Sequence, residues 1–266
     1  MRIRRVHVLV ILLVSVSCLI PLRGRIKVAA LSVLQTVKGR TSVSDRVAEF
    51  GGAVHGRLMP RFRQIAAAYP PKKIILVGLK QERTLEIWVA DARGGFQYLK
   101  SYAVLAASGR LGPKLAEGDR QVPEGLYQIE SLNPNSLFHL ALRVNYPNAF
   151  DKAKGLSDGR SALGSDIMIH GKASSVGCLA LGNQAAEDLF VLVAETGIEN
   201  VQVILSPVDF RIGELPPNMP KVPAWTSELY VHVRRELMKL KRLPVAEPAA
   251  AGVAPSVAPL PFPLGA

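Results

Sequence analysis

Hydrophobic and polar positions along this chain change their spacing several times, and each change marks a new kind of element. Val6 to Ile20 is an almost unbroken apolar run that follows Arg2, Arg4 and Arg5 and ends at Pro21. A basic start, an apolar stretch and then a break is the layout of an export signal. Over residues 22–71 the apolar positions Leu31, Leu34, Val47, Phe50, Val54, Leu58 and Phe62 recur at near-helical intervals. That spacing predicts a basic, partly helical stalk, closed by Pro70-Pro71. The period then shortens. Residues 73–77 and 84–89 flank Lys80-Gln81-Glu82-Arg83 as the arms of a hairpin flank its turn. Residues 98–105, 126–129 and 138–144 read as further strands, with a Gly-rich loop over 108–125. Residues 184–195 form a predicted apolar helix, N-capped by Asn183 and closed by Gly197. A last strand covers 201–205, and a basic helix covers 225–242.

Strands outnumber helices, so the expected fold is mainly β within the α+β class. It is a β-sandwich or mixed sheet with one or two helices packed outside it. The expected organisation is a signal peptide or signal anchor (1–21), the stalk (22–71), a β-rich domain (72–207), a C-terminal extension with the basic helix (208–243) and a Pro/Ala-rich disordered tail (244–266). No small-x-small cleavage site follows the apolar run, and Arg23, Arg25 and Lys27 lie close behind it. The run therefore fits an uncleaved anchor as well as a removed peptide, although it is shorter than the roughly 20 residues of a usual span. Cys18 lacks the Leu that a lipoprotein box carries three positions earlier, and it reads as a small apolar residue of the run. The body is expected in the cell envelope, with its N-terminus at the membrane.

Charge sharpens this picture. Residues 1–73 hold 14 of the 33 Lys and Arg, against only Asp45 and Glu49 of the 21 acidic residues. All of the net charge of +12 therefore lies there, and the rest of the chain is neutral. A basic surface near the export segment suits an anionic surface rather than a nucleic-acid groove.

The neutral part carries the chemistry. The apolar stretch Ile167-Met168-Ile169 leads into His170, and a short Gly/Ser-rich loop follows, ending at Gly177-Cys178. A thiol attacks carbonyls as thiolate, and a neighbouring imidazole commonly generates it. His170 is expected to hold Cys178 as thiolate. The consecutive N–H groups of Gly177 and Cys178 are expected to face a developing oxyanion. With no Asp or Asn in register, a backbone carbonyl is expected to orient the imidazole. Five His and two Cys at no ligand spacing argue against a metal, and no cofactor is expected. Ser174 and Ser175 stand outside any Gly-x-Ser-x-Gly elbow, which disfavours a serine hydrolase. His139 reads as structural.

These residues resemble the L,D-transpeptidase catalytic domain, whose signature is a His, a spacer and Ser/Thr-x-Gly-Cys. The match is Ile169-His170-Gly171 followed by Ser175-Val176-Gly177-Cys178. Ser108–Leu115, Glu117–Gly125 and Asn145-Tyr146-Pro147-Asn148 look like the same family. The resemblance covers about residues 73–206 and makes 72–207 the catalytic domain. It implies Cys178 as nucleophile, His170 as base and acid, the Gly171 carbonyl as its orienting group, and Ser175 as a supporting motif residue. A second His of the commonest branch is replaced by Val176, as in envelope enzymes acting on the peptidoglycan–lipoprotein linkage. The implied substrate is a peptidoglycan stem peptide, attacked through a thioester, with Arg110, Lys114 and Arg120 as carboxylate binders. The acceptor is an amine of another stem, a wall-attached protein or a lipoprotein. Hydrolysis by the same chemistry, or a non-catalytic wall-binding module, are the alternatives.

Overall fold

The computed structural model describes residues 40–173 and 177–241. The export segment with Cys18, the Ser174–Val176 stretch with Ser175, and the tail lie outside the described residues. Eight strands form one sheet in the order β3-β2-β1-β8-β4-β5-β6-β7. They are β1 (Ile74–Leu79), β2 (Thr84–Ala90), β3 (Phe96–Ala103), β4 (Gly125–Ser136), β5 (His139–Val144), β6 (Met168–His170), β7 (Leu179–Ala180) and β8 (Val201–Ser206). β1–β8 and β6–β7 pair parallel, and the other neighbours pair antiparallel. The fold is thus mixed α+β, as the alternating patterns implied. Four α-helices pack on it among the described residues: α1 (Val43–Gln64), α2 (Ala149–Ser157), α3 (Asn183–Thr196) and α4 (Thr226–Leu237).

Two apolar cores lie on opposite faces of the central strands. Ile74 and Leu76 of β1 join α1 and α3 in one core, while Ile75, Val77 and Leu79 join Trp88 and α4 in the other. A strand covered on both faces needs apolar residues at every position, which is why Ile-Ile-Leu-Val reads as a continuous run rather than an alternation.

Helix α1, within the expected partly helical stalk, docks on the sheet. Its stripe of Val54, Leu58 and Phe62 is fully buried in the first core. Its arginines are engaged as well. Arg57 Nε donates to the buried Asp188 of α3 at 2.7 Å, and Arg61 Nε donates to the Leu99 carbonyl at 2.7 Å. Helix α2 was not anticipated, although Asn148 and Asp151 form a reciprocal capping box at its start.

The Gly-rich loop is fixed by a buried carboxylate. Glu124 is 1% exposed and lies 2.8 Å from Lys80 Nζ in the β1–β2 turn. It accepts from the Gly112 N–H at 2.8 Å and from the Tyr230 hydroxyl of α4 at 2.6 Å. Hairpin, loop and C-terminal helix therefore meet on one charge-assisted network.

Candidate active site

Register alone determines which side chains of β5, β6 and β7 share a face. Leu142, Ile169 and Leu179 pair across the three strands, and all three point into the first core. Side chains alternate along a strand, so the flanking rows point the other way. One of those rows is Ala141, His170 and Ala180. The other is Arg143 and Met168, with Cys178 level with them just before β7. His170 and Cys178 are thereby diagonal neighbours on one face. Alanine on either side of His170 leaves room for the imidazole in a crowded sheet.

The His170 ring is 2% exposed, and its Nδ1 donates to the Gly171 carbonyl at 2.7 Å. A carbonyl only accepts, so Nδ1 carries the proton and Nε2 keeps its lone pair. The ring of Phe138 covers the imidazole, with centroids 4.6 Å apart. A Cβ at Gly171 would come within 2.7 Å of the Phe138 carbonyl and 2.9 Å of Asn183 Oδ1, so this position admits no side chain. Asn183 does not cap α3 as expected. It is the first helical residue, and its Oδ1 accepts from the Lys172 N–H at 2.9 Å, pinning the start of the loop.

Cys178 Sγ lies 3.6 Å from the Asp166 carbonyl, and the Met168 N–H also reaches it. Burial pushes the thiol above its ordinary value, with the Asp166 carboxylate adding to the rise; the Met168 amide and Lys114 oppose it. Burial likewise pushes His170 down, against the Gly171 hydrogen bond. Both shifts favour a neutral thiol beside a neutral imidazole. Desolvation disfavours both charges.

The Gly177 amide is engaged in this structure. Its N–H donates to Ser108 Oγ at 2.6 Å, and Ser108 in turn donates to the Arg120 carbonyl at 2.7 Å. The amide expected to face an oxyanion is therefore occupied, and Ser108 bridges the Gly-rich loop to the cysteine loop. Lys114 is held within its own loop. It is 8% exposed, and its ammonium is bound to the Asp119 carboxylate and, at 2.8 Å, to the Ala116 carbonyl. Its field lowers the Cys178 thiol, against the larger effect of burial. Arg120 is exposed in a left-handed conformation, and its backbone abuts Gly177. Arg110 lines a groove of about 490 Å³ with Leu111, Pro216, Asn218 and Pro220. Among the described residues no three His, Cys, Asp or Glu side chains converge as a metal site, and no helix there is long and apolar enough to cross a membrane.

Sequence reading missed Ser108, Phe138 and Asp166 as site residues. Ser108 lies in a segment already resembling the family, while Asp166 gave no signal beyond an Asp tolerating its φ of +58°.

The family model of the YkuD L,D-transpeptidase catalytic domain matches residues 72–205. The chain belongs to this family. The Escherichia coli (strain K12) protein named "Putative L,D-transpeptidase YafK" is 38% identical over 133 residues, covering 48% of this chain and 51% of that protein. The Escherichia coli O157:H7 protein of the same name matches equally. The chain thus spans about half the length of the curated relatives it matches. Among solved structures, the Campylobacter jejuni helical cell shape determining protein Pgp2 is 26% identical, with a TM-score of 0.43 over 51% of this chain and 48% of that one. Mycobacterium tuberculosis L,D-transpeptidase 1 is 16% identical, with a TM-score of 0.29 over 50% of this chain and 62% of that one.

Proposed function

We propose that this chain is an exported, envelope-located L,D-transpeptidase that remodels peptidoglycan through a thioester on Cys178. The observation that carries the reading is the placement of His170 and Cys178 on one sheet face, with the imidazole held in the tautomer whose Nε2 is basic. Nε2 takes the thiol proton as Sγ attacks the amide carbonyl of the diaminoacid at position three of a stem peptide. The C–N bond to D-Ala breaks, and His170 returns the proton to the departing amine. An acceptor amine then attacks the thioester, gives its proton to His170, and leaves a new amide with the thiol restored.

The neutral resting pair suits this sequence. The ion pair forms only when substrate closes over the site, so charge develops where it is used. The oxyanion is assigned to the backbone at Gly177-Cys178. The N-terminal apolar run supports a location outside the inner membrane, and the acceptor is another stem or a wall-attached protein or lipoprotein.

Purified full chain incubated with tetrapeptide-containing sacculi tests the reading. Muropeptide analysis is expected to find 3→3 dimers, or tripeptides where water is the acceptor, and neither with Cys178→Ala. Absence of both products with the wild type refutes it.

A further inference from the structure

The same sheet face that carries His170 and Cys178 carries a charged group to which the proposed proton transfers assign no step. Arg143 stands in one row with Met168 and Cys178, two strand spacings from the cysteine, or about 10 Å. Its Nη1 is 2.7 Å from Asp166 Oδ1, and its Nε is 2.7 Å from Glu130 Oε2. Glu130 faces it because the β4–β5 register shifts between Ile129 and Ser131, the two-against-one arrangement of a bulge. Asp166 also presents its carbonyl to Cys178 Sγ. The group is therefore built onto rigid strands and tied to the nucleophile.

Three observations point to a ligand. The Arg143, Glu130 and Asp166 side chains are 35%, 54% and 64% exposed, open enough to exchange partners. Ion pairs this exposed contribute little to folding. Among the described residues Arg143 Nε makes no aligned hydrogen bond, despite the nearby Glu130 carboxylate. One guanidinium with two carboxylates leaves an excess negative charge, which opposes a lone anion. A group bearing both charges satisfies all three residues: a carboxylate on the guanidinium fork and an ammonium on the two carboxylates.

We propose that Arg143, Glu130 and Asp166 form a subsite for a zwitterionic amino-acid head group, an ammonium and a carboxylate on one carbon, carried by the substrate that Cys178 attacks. The proposal rests on the stem-peptide reading above and deepens it. It makes the free end of the diaminoacid side chain the element that is recognised.

The test uses the full chain and three tetrapeptides. One keeps the side-chain head group free, one carries its carboxylate as a carboxamide, and one carries its amine acetylated. Either cap is expected to lower wild-type kcat/KM roughly 10- to 100-fold, mainly through KM, as loss of a charged hydrogen-bonding partner does. Arg143→Gln is expected to lose a similar factor on the free peptide and to stop distinguishing it from the carboxamide. Glu130→Gln is expected to weaken discrimination against the acetylated peptide. Equal turnover of all three peptides by the wild type overturns the subsite alone, as does Arg143→Gln with unchanged preference. A wild type inert on all three overturns the stem-peptide reading, and the subsite with it. The capped peptides probe the unaltered protein, so the outcome does not depend on how well the variants fold.

Discussion

Replacing Leu58 by alanine separates a helix that belongs to the domain from one that merely precedes it. Leu58 is fully buried in the core shared by α1, α3 and the sheet, although α1 lies before the segment matched by the family model. Truncating a buried leucine removes its transfer energy and leaves a cavity, a loss of about 2–5 kcal/mol. Phe62 and Val54, both fully buried on the same stripe, limit how far the site can collapse, which places the expected loss near 3 kcal/mol. For a folded unit of this size each kcal/mol moves Tm by about 2–4 °C, so a drop of about 6–12 °C is expected. The two tryptophans, Trp88 and Trp225, belong to or pack against the opposite core, so intrinsic fluorescence follows the body of the domain rather than the helix. Leu156→Ala, at a residue 83% exposed, serves as the control and is expected to shift Tm by no more than about 1 °C. A tryptophan-fluorescence transition within about 2 °C of wild type for Leu58→Ala would refute the reasoning and return α1 to the status of an appendage.

Three further outcomes follow from the site and its surroundings. Burial raises the Cys178 thiol, so its alkylation by iodoacetamide is expected to accelerate about tenfold per pH unit from neutrality through pH ~9; a plateau below pH ~7 would show a standing thiolate instead. Ser108→Ala removes the acceptor of the buried Gly177 amide and the tie between two loops, and kcat is expected to fall about tenfold with the fold retained; unchanged kcat would deny Ser108 a positioning role. Burial raises Asp151 to about 6 in the folded chain, above its value of 3.8 when unfolded. Its contribution is therefore fully present below pH ~4 and is lost as pH rises through about 6, a change of about 2–3 kcal/mol. Asp151→Asn is expected to gain stability relative to wild type between pH ~4.5 and ~7.5, and parallel Tm profiles would contradict this.

The parts of the fold that could be read in advance are those whose signal is local. β1 announced itself by Ile74-Ile75-Leu76-Val77, and the closing of α3 by Gly197, which adopts a φ of +87°. The helix over 43–64 was legible from its stripe, but its docking was not. Arg57 and Arg61 read as stalk charge, whereas their partners, Asp188 and the Leu99 carbonyl, lie far along the chain. The candidate site divides the same way. His170, Gly171 and Cys178 sit within nine residues and carried their chemistry openly. Ser108, Phe138, Arg143 and Asp166 come from separate segments, and strand register and loop contacts alone bring them together.

The pairing of Leu142, Ile169 and Leu179 has a consequence for how this chain can vary. A slip of one residue between these strands would turn that row out to water and carry His170 toward the core. Exposing three such side chains costs about 5–9 kcal/mol, comparable with the whole stability of a domain. The alignment of His170 with Cys178 is therefore insured by two leucines and an isoleucine buried in the core. Mutations that misplace the cysteine by sliding the backbone unfold the protein before they can yield a folded, inactive one. Folded but silent relatives of this chain should arise by exchange of the thiol or imidazole, not by drift of the scaffold.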